Sequence, residues 1–431
     1  MFSIQQITYN LKSNLSHDIL DAVQEYLVGI GYDFSLRKIS KTLNETFGLD
    51  AKDCIKYHQY FRNESPWDSD DNNLTPDFTI NNNVLIVVGG IGNCLIVTLI
   101  YPSSNKSEGD KVFQFMKSEF VGCDPISPLI DSLNIPTFGD STYLEKLDEY
   151  CTKHPELKFK DLVIDDASVK SSREIMESAV RKLLIEVSMN KKVKYEDLVK
   201  SGSEETLIKC TENGMLKTEI MVQCKSNSSN LAIINSQNEF DGVKTALRCA
   251  HCNREYKDEI ISKIVSLNSD TKALITKSHW MNYVVVDELL KLGVSRDLIK
   301  VSPEGNGEEL DLLVAYGDKI IFFEFKDRDF GLGDAYPFHF RLRRYSADTG
   351  VIITTSKIAD DAKKYLSEIS ESENSMKVRE IEGVENISKG VKRLILELNY
   401  KMAIGIVGDR LSNTGIAEIA GIKKWMAKYY R

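Results

Sequence analysis

The sequence predicts a multidomain protein of mixed α/β class, in which α/β and α+β character combine. Three observations predict this. The chain has 431 residues, a length that suits two to three domains, and 42% of them are hydrophobic, ample for packed cores. Apolar residues recur at helical spacing in some stretches and alternate in others, so both element types are expected. Towards the C-terminal side, two alternating segments about a turn precede a helical pattern and then a strand pattern, an order that makes a complete domain of both element types. The expected segments are 1–155, 165–222, 223–257, 270–400 and 401–431.

Residues 19–32 and 36–47 read as helices. Residues 60–74 are polar, with Asp68, Asp70 and Asp71, and read as a loop. Residues 75–80 and 84–88 flank the turn Asn81-Asn82-Asn83 and read as a hairpin. The run Gly89-Gly90-Ile91-Gly92-Asn93 lacks both the GxGxxG spacing and a Walker lysine, so a bend is expected there and not a phosphate cradle. Loop signals at 103–107, Asp124-Pro125 and Ile135-Pro136 break up the stretch that follows, and the first domain boundary is expected near 155–170.

Residues 172–189 read as one long amphipathic helix, with Ile175, Ala179, Leu183, Leu184 and Val187 apolar. Two short helices, 194–200 and 204–213, follow around Ser201-Gly202-Ser203, and residues 215–224 begin a strand. That order is winged-helix-like, so 165–222 is a candidate DNA-reading module. A winged helix reads DNA by placing its second helix in the major groove. Here that helix opens with Glu204-Glu205, poor for phosphate contact, so a protein-packing module stands as the other reading.

Cys249-Ala250-His251-Cys252 is a CxxC knuckle, and residues 223–257 are zinc-ribbon-like. A structural Zn2+ takes four ligands. Cys224 opens the second knuckle, but Asn227 stands where its other cysteine belongs. Cys224, Cys249 and Cys252 are therefore candidate zinc ligands with one missing, and His251 or Cys210 are candidates to complete the set. Residues 231–234 and 238–240 are expected ribbon strands. A ribbon that holds no metal is the competing expectation.

Residues 278–292 read as a helix and 298–302 as a short strand. Segments 308–313 and 319–326 then alternate about the turn signal Tyr316-Gly317-Asp318 and read as a hairpin. Side chains two apart on a strand share a face, so Glu324 and Lys326 project together, and Asp311 projects beside them from the partner strand. Two carboxylates and an ammonium thus converge among strongly apolar neighbours. Paired carboxylates are hard oxygen ligands suited to Mg2+ or Mn2+. Such an ion lowers the pKa of a bound water and neutralises charge on phosphorus. A neighbouring lysine can orient the water or stabilise the transition state.

Residues 327–338 hold two glycines and Pro337 and read as a loop at the mouth of that site. The helix read at 338–347 carries His339, Arg341, Arg343, Arg344 and Tyr345, the clearest local basic cluster. Arg341 and Arg344 are three apart, share a helical face, and are candidates for holding phosphate, with a solvated face as the alternative. Residues 351–355 read as a strand and 384–400 as a helix. The tail, 401–431, ends on lysines mixed with aromatics, suited either to DNA or to a partner.

At Asp311 and Glu324-Phe325-Lys326 the sequence resembles the PD-(D/E)XK, or restriction-endonuclease-like, nuclease superfamily. The pattern is an acidic residue on one hairpin strand and Glu-x-Lys on the next, within a core of helix, three strands, helix and strand. Residues 278–370 match that order, although Leu310 replaces the usual proline. The resemblance implies a central mixed sheet flanked by helices within 270–400. It implies metal-dependent hydrolysis of phosphodiester bonds, with Asp311 and Glu324 as Mg2+ or Mn2+ ligands and Lys326 positioning the attacking water. Some members carry a further acidic ligand on the first helix. Glu288 matches by position, Asp287 is adjacent, and Glu309 is the candidate if the register slips. Residues 75–88 faintly resemble the same core, but Val88-Gly89-Gly90 stand where Glu-x-Lys would, so a second copy would be catalytically silent and serve dimerisation or control.

DNA is the substrate that the resemblance implies, with restriction or anti-phage defence as the setting by analogy. Alternatives are a nuclease acting on RNA or on branched or single-stranded DNA in repair, and a non-catalytic DNA-binding or scaffold protein that keeps the fold. A homodimer and a partner protein of a defence system are expected partners. The formal net charge of −9 and a pI near 5.4 argue against a dedicated high-affinity nucleic-acid binder, so DNA contact is expected to be local, metal-assisted or helped by a partner. The acidic balance also argues against a membrane surface. No apolar run reaches the ~18 residues of a membrane span. The N-terminus has no basic-then-apolar leader. Eight cysteines in such a chain point to a reducing compartment, hence a cytoplasmic location.

Overall fold

The structure is a computed structural model that describes residues 1–13, 17–29, 31–32, 77–118, 120–121, 130–134, 140–160, 164–305, 308–317, 319–372, 377–410, 422–423 and 425–427. The helix read at 36–47, the acidic loop at 60–74, the loop signals at 124–125 and 135–136 and the last four residues lie outside the described residues. The protein is of mixed α/β class and divides into two units. The first comprises Met1–Glu149, Tyr316–Asp318 and Arg393–Arg431; the second comprises Tyr150–Ala315 and Lys319–Lys392. Among the described residues, no helix is long and apolar enough to cross a membrane.

The first unit contains β1 (Phe2–Leu11), α1 (His17–Gly29), β2 (Asp77–Asn81), β3 (Val84–Ile91), β4 (Cys94–Pro102), α2 (Lys106–Ser118), β5 (Ile130–Asn134) and most of α3 (Asp140–Lys153). Its sheet runs β2-β3-β4-β1-β5, with antiparallel ladders throughout. No strand is expected from the sequence at β1, whose alternation is blurred at Gln5-Gln6. Successive strand side chains point to opposite faces. Val84, Ile86 and Val88 pack with Tyr9, Leu27 and Met116, whereas Leu85 and Val87 pack with Phe2, Ile4, Ile100, Trp425 and Met426. Both faces are thus covered, which explains an unbroken apolar run in an antiparallel strand. Gly109 lets α2 approach the sheet, since a Cβ there would lie 2.4 Å from the Tyr101 ring. Gly92, at φ +60°, turns β3 into β4. The glycine-rich run is therefore strand and bend. After that hairpin β3 turns straight into β4, so no helix directly follows the strand that carries Val88-Gly89-Gly90.

The second unit opens with β6 (Lys158–Lys160), α4 (Asp166–Ile175), α5 (Ser178–Asn190), β7 (Val193–Lys194), α6 (Tyr195–Lys200), α7 (Glu204–Glu212) and β8 (Leu216–Gln223). The single helix expected at 172–189 is two. Glu177 is extended between them, and the Arg181 guanidinium donates to the carbonyls of Ile175 (3.3 Å) and Met176 (3.0 Å) at the end of α4. Apolar periodicity carries on across the break, so it leaves no mark in the pattern. Next come β9 (Asn230–Ile234), α8 (Gln237–Val243) and β10 (Ile260–Leu267), forming the sheet β7-β10-β8-β9. Residues 238–240, expected as a strand, lie in α8. Ser236 caps that helix by accepting from the Glu239 amide (3.1 Å), and Glu239 reaches back to the Asn235 amide (3.2 Å). Ser-x-x-Glu is a helix-start signal that outweighs the short apolar pattern.

The remainder is α9 (Ser269–Ile275), α10 (Trp280–Lys291), β11 (Ile299–Gly305), β12 (Glu308–Glu309), β13 (Leu312–Tyr316), β14 (Lys319–Lys326), α11 (Leu332–Arg344), β15 (Thr349–Thr354), α12 (Asp360–Ser372), β16 (Lys377–Glu382) and α13 (Ile387–Arg410). The sheet order is β12-β11-β13-β14-β15-β16, with β6 beside β11. β14, β15 and β16 run parallel, and α11 and α12 are the crossovers that parallel neighbours require. β14 is central, with Ile320 to Phe325 all buried. Helix α11 starts at Leu332, well before the expected 338. Asp334 draws it back by accepting from the Gly331 amide (3.2 Å) and from Arg328, although Pro337 lies inside the helix.

Candidate active site and cysteine cluster

The hairpin of β13 and β14 brings three predicted residues together. Asp311 stands just before β13, and the Phe325 amide donates to its Oδ2 at 2.6 Å. Glu324, 5% exposed, lies on β14 beside that amide. Lys326, two residues on, donates from Nζ to Glu324 Oε1 at 2.8 Å. Arg341 reaches in from α11 and donates to Glu324 Oε2 at 2.7 Å. Its side chain is 11% exposed, and its buried Nε has no hydrogen-bond partner. Burial pushes the Asp311 carboxyl up to about 7, and the neighbouring Glu324 charge adds to that rise; Lys326 and Arg341 pull the other way.

The strand end is pinned from outside the hairpin. Asp327 accepts from Trp280 Nε1 of α10 at 3.2 Å and pairs with Arg181 Nε of α5 at 3.2 Å. Arg328 pairs with both oxygens of Asp334, at 2.8 Å each. Thr354 Oγ1 on β15 donates to the Arg328 carbonyl. These bonds hold residues 327–334 against the sheet.

The other candidates are placed differently. Glu288 is bound by Arg173 of α4, which also holds Asp287 at 2.5 Å. Among the described residues, the Glu288 carboxylate does not join those of Asp311 and Glu324 in one group within 4.8 Å. Glu309 lies in β12 opposite Glu304, so the register gives Asp311 to the Phe325 amide. Arg344 is exposed, with its guanidinium 6.0 Å from the Phe340 ring centre and 5.5 Å from that of Tyr345. The two candidate arginines therefore part company, Arg341 in the site and Arg344 on the surface.

A separate group gathers at the end of the small sheet. Cys224, Cys249, Cys252 and Glu259 have ligand atoms within 4.8 Å of one another, an arrangement compatible with a metal ion. Glu259 carries no sequence signal of this role, because no spacing rule joins it to the knuckle. His251 and Cys210, the candidate substitutes, do not belong to the group. His251 is exposed, and only its backbone amide points at Cys249 Sγ (3.4 Å). Cys210 is buried in α7, and burial raises its thiol to about 11. Asn227 is spent locally, its Oδ1 accepting from the Ser229 amide at 3.1 Å.

No known protein-family profile matches the sequence, and no curated protein matches it. Among solved structures, protein VC1899 from Vibrio cholerae aligns at 9% identity with a TM-score of 0.34, over 62% of this chain and 64% of its own length. The chain thus spans less than two thirds of that protein. A repair endonuclease from Pyrococcus abyssi aligns at 15% identity with a TM-score of 0.18, over 42% of this chain and 93% of its own. Both likenesses are remote, so the chemistry of the site rests on its own residues.

Proposed function

We propose that the chain is a metal-dependent nuclease of PD-(D/E)XK type that hydrolyses phosphodiester bonds in DNA. The observation that carries this reading is the meeting of Asp311, Glu324 and Lys326 at the buried end of the central strand. Burial and the neighbouring Glu324 charge raise the proton affinity of Asp311, and a hard divalent cation relieves that repulsion. The donor set therefore fits Mg2+ or Mn2+. When bound, such an ion supplies Lewis-acid activation of water and neutralises charge on the phosphate.

Within this reading, Asp311 and Glu324 hold the ion. Lys326 Nζ, already 2.8 Å from Glu324, orients the attacking water. Arg341 fixes the Glu324 rotamer from the far side, and its unpartnered Nε offers a donor towards phosphate. Arg344 contacts phosphate farther along the substrate. Glu288, engaged by Arg173, takes no metal role. A restriction or anti-phage setting, a homodimer that cuts both strands and a partner protein of a defence system belong to the same proposal by analogy. Tyr336 and Phe340, 52% and 54% exposed on α11, favour a second reading in which unpaired bases stack there, as in repair of branched or single-stranded substrates.

Digestion of linear and supercoiled duplex DNA, single-stranded DNA and RNA with Mg2+ or Mn2+ tests both readings. Wild type is expected to cut, Glu324→Ala and Lys326→Ala to lose cutting, and Arg344→Ala to bind more weakly while keeping kcat. Cutting that survives the first two substitutions would move the chemistry elsewhere. A wild type that binds neither metal nor nucleic acid would leave a silent scaffold.

A further inference from the structure

We infer that Cys224, Cys249, Cys252 and Glu259 form a tetrahedral Zn2+ site, with Glu259 as the fourth ligand, that ties the end of β8 to the start of β10. This inference is independent of the nuclease reading and concerns different donors.

The spacing fits the ion. Two sulfurs bound at ~2.3 Å with tetrahedral angles lie ~3.8 Å apart. Cys224 Sγ and Cys252 Sγ are 3.8 Å apart. That separation is far beyond the ~2.05 Å of a disulfide. Glu259 Oε1 accepts from the Cys252 thiol at 2.8 Å, a hydrogen bond that metal entry replaces with two bonds to the ion.

The backbone contributes to the same cluster, since the His251 amide donates to Cys249 Sγ at 3.4 Å.

Glu259 is the second anomaly. It is 7% exposed, and a buried carboxylate is costly unless paired or bound to metal. Its other oxygen, Oε2, accepts from the Lys225 amide at 2.5 Å, which aims Oε1 at the sulfurs. Three thiolates select a borderline-soft ion over Mg2+ or Ca2+, and one oxygen completes four-coordination.

The position gives the site a purpose. Gln223 pairs with Ile260 at the end of the β8–β10 ladder, and Cys224 and Glu259 flank that pair. The excursion between them adds Ile234 and Phe240 to a small core shared with Ile220 and Val222 of β8. An ion at its neck closes the loop and stabilises the excursion in the way a cross-link does.

The test uses the untagged full chain, equilibrated with buffered Zn2+ and freed of excess. Elemental analysis is expected to find one zinc per chain. Zinc-edge X-ray absorption is expected to show three sulfurs at about 2.3 Å and one oxygen at about 2.0 Å. Competition with a chromophoric chelator is expected to show at least about tenfold weaker zinc in Glu259→Gln and full affinity, with four sulfurs, in Glu259→Cys. A chain that takes up no zinc overturns the site. A four-sulfur shell or imidazole scattering in wild type, or unchanged affinity in Glu259→Gln, removes Glu259 as the ligand. The absorption measurement on wild type stands even if a variant fails to fold.

Discussion

Asp311 shows how a site residue works against the fold that holds it. Its carboxyl keeps a proton up to about pH 7 in the folded chain, whereas its ordinary value is 3.8. Between those values the native state binds more protons than the unfolded state, so stability falls as pH rises through the window. Asp311→Asn removes this penalty. In buffers without Mg2+ or Mn2+, the variant is expected to melt above wild type at pH 8 and level with it near pH 4, while losing cleavage. Thermal melts across that range decide it, and a lower melting point at pH 8 would contradict the assigned cause. Protons also compete with the ion, so metal affinity at the hairpin is expected to fall as pH drops below about 7.

At the scale of elements, the site depends on how closely α11 lies on the sheet. Gly350 on β15 makes that approach possible. A Cβ there would sit 2.6 Å from Leu342 Cδ1 and 2.9 Å from the Phe338 ring, both on α11. Gly350→Val is expected to lift the helix at a cost of roughly 1–3 kcal/mol, typical of overpacking. Arg341 rides on the same helix, so its bond to Glu324 should loosen with it. Urea denaturation reads the first effect and kcat the second. Stability lost with kcat intact would separate Arg341 from catalysis. The helix itself was only half legible. Gly331, Gly333 and Pro337 read as loop residues, yet Asp334 and Arg328 fasten the first turn from within it.

At the scale of the whole chain, the basic and aromatic C-terminal segment turns out to serve packing. Ile422, Trp425 and Met426 belong to the apolar cluster of the first unit with Phe2 and Ile4, and the Trp425 and Phe2 rings are 5.8 Å apart. Trp425→Ala is expected to cost roughly 3–5 kcal/mol in that unit, as large-to-small core changes do. Differential scanning calorimetry should register it, and an unchanged melting profile would show the segment is dispensable. Both ends of the chain thus enter one core, a pairing no local pattern announces.

The hairpin of Asp311, Glu324 and Lys326 was legible because its geometry is short-range. A period of two puts Glu324 and Lys326 on one face, and a short turn sets Asp311 opposite. The CxxC knuckle was legible for the same reason. Glu259 beside Cys224, Arg341 on Glu324, Arg181 and Trp280 on Asp327, and Trp425 against Phe2 came from folding alone. These partners are far apart in the chain, and no helical or strand period links them. Their meeting is set by how packed layers stack, information spread over every apolar residue of the core and held in no single motif.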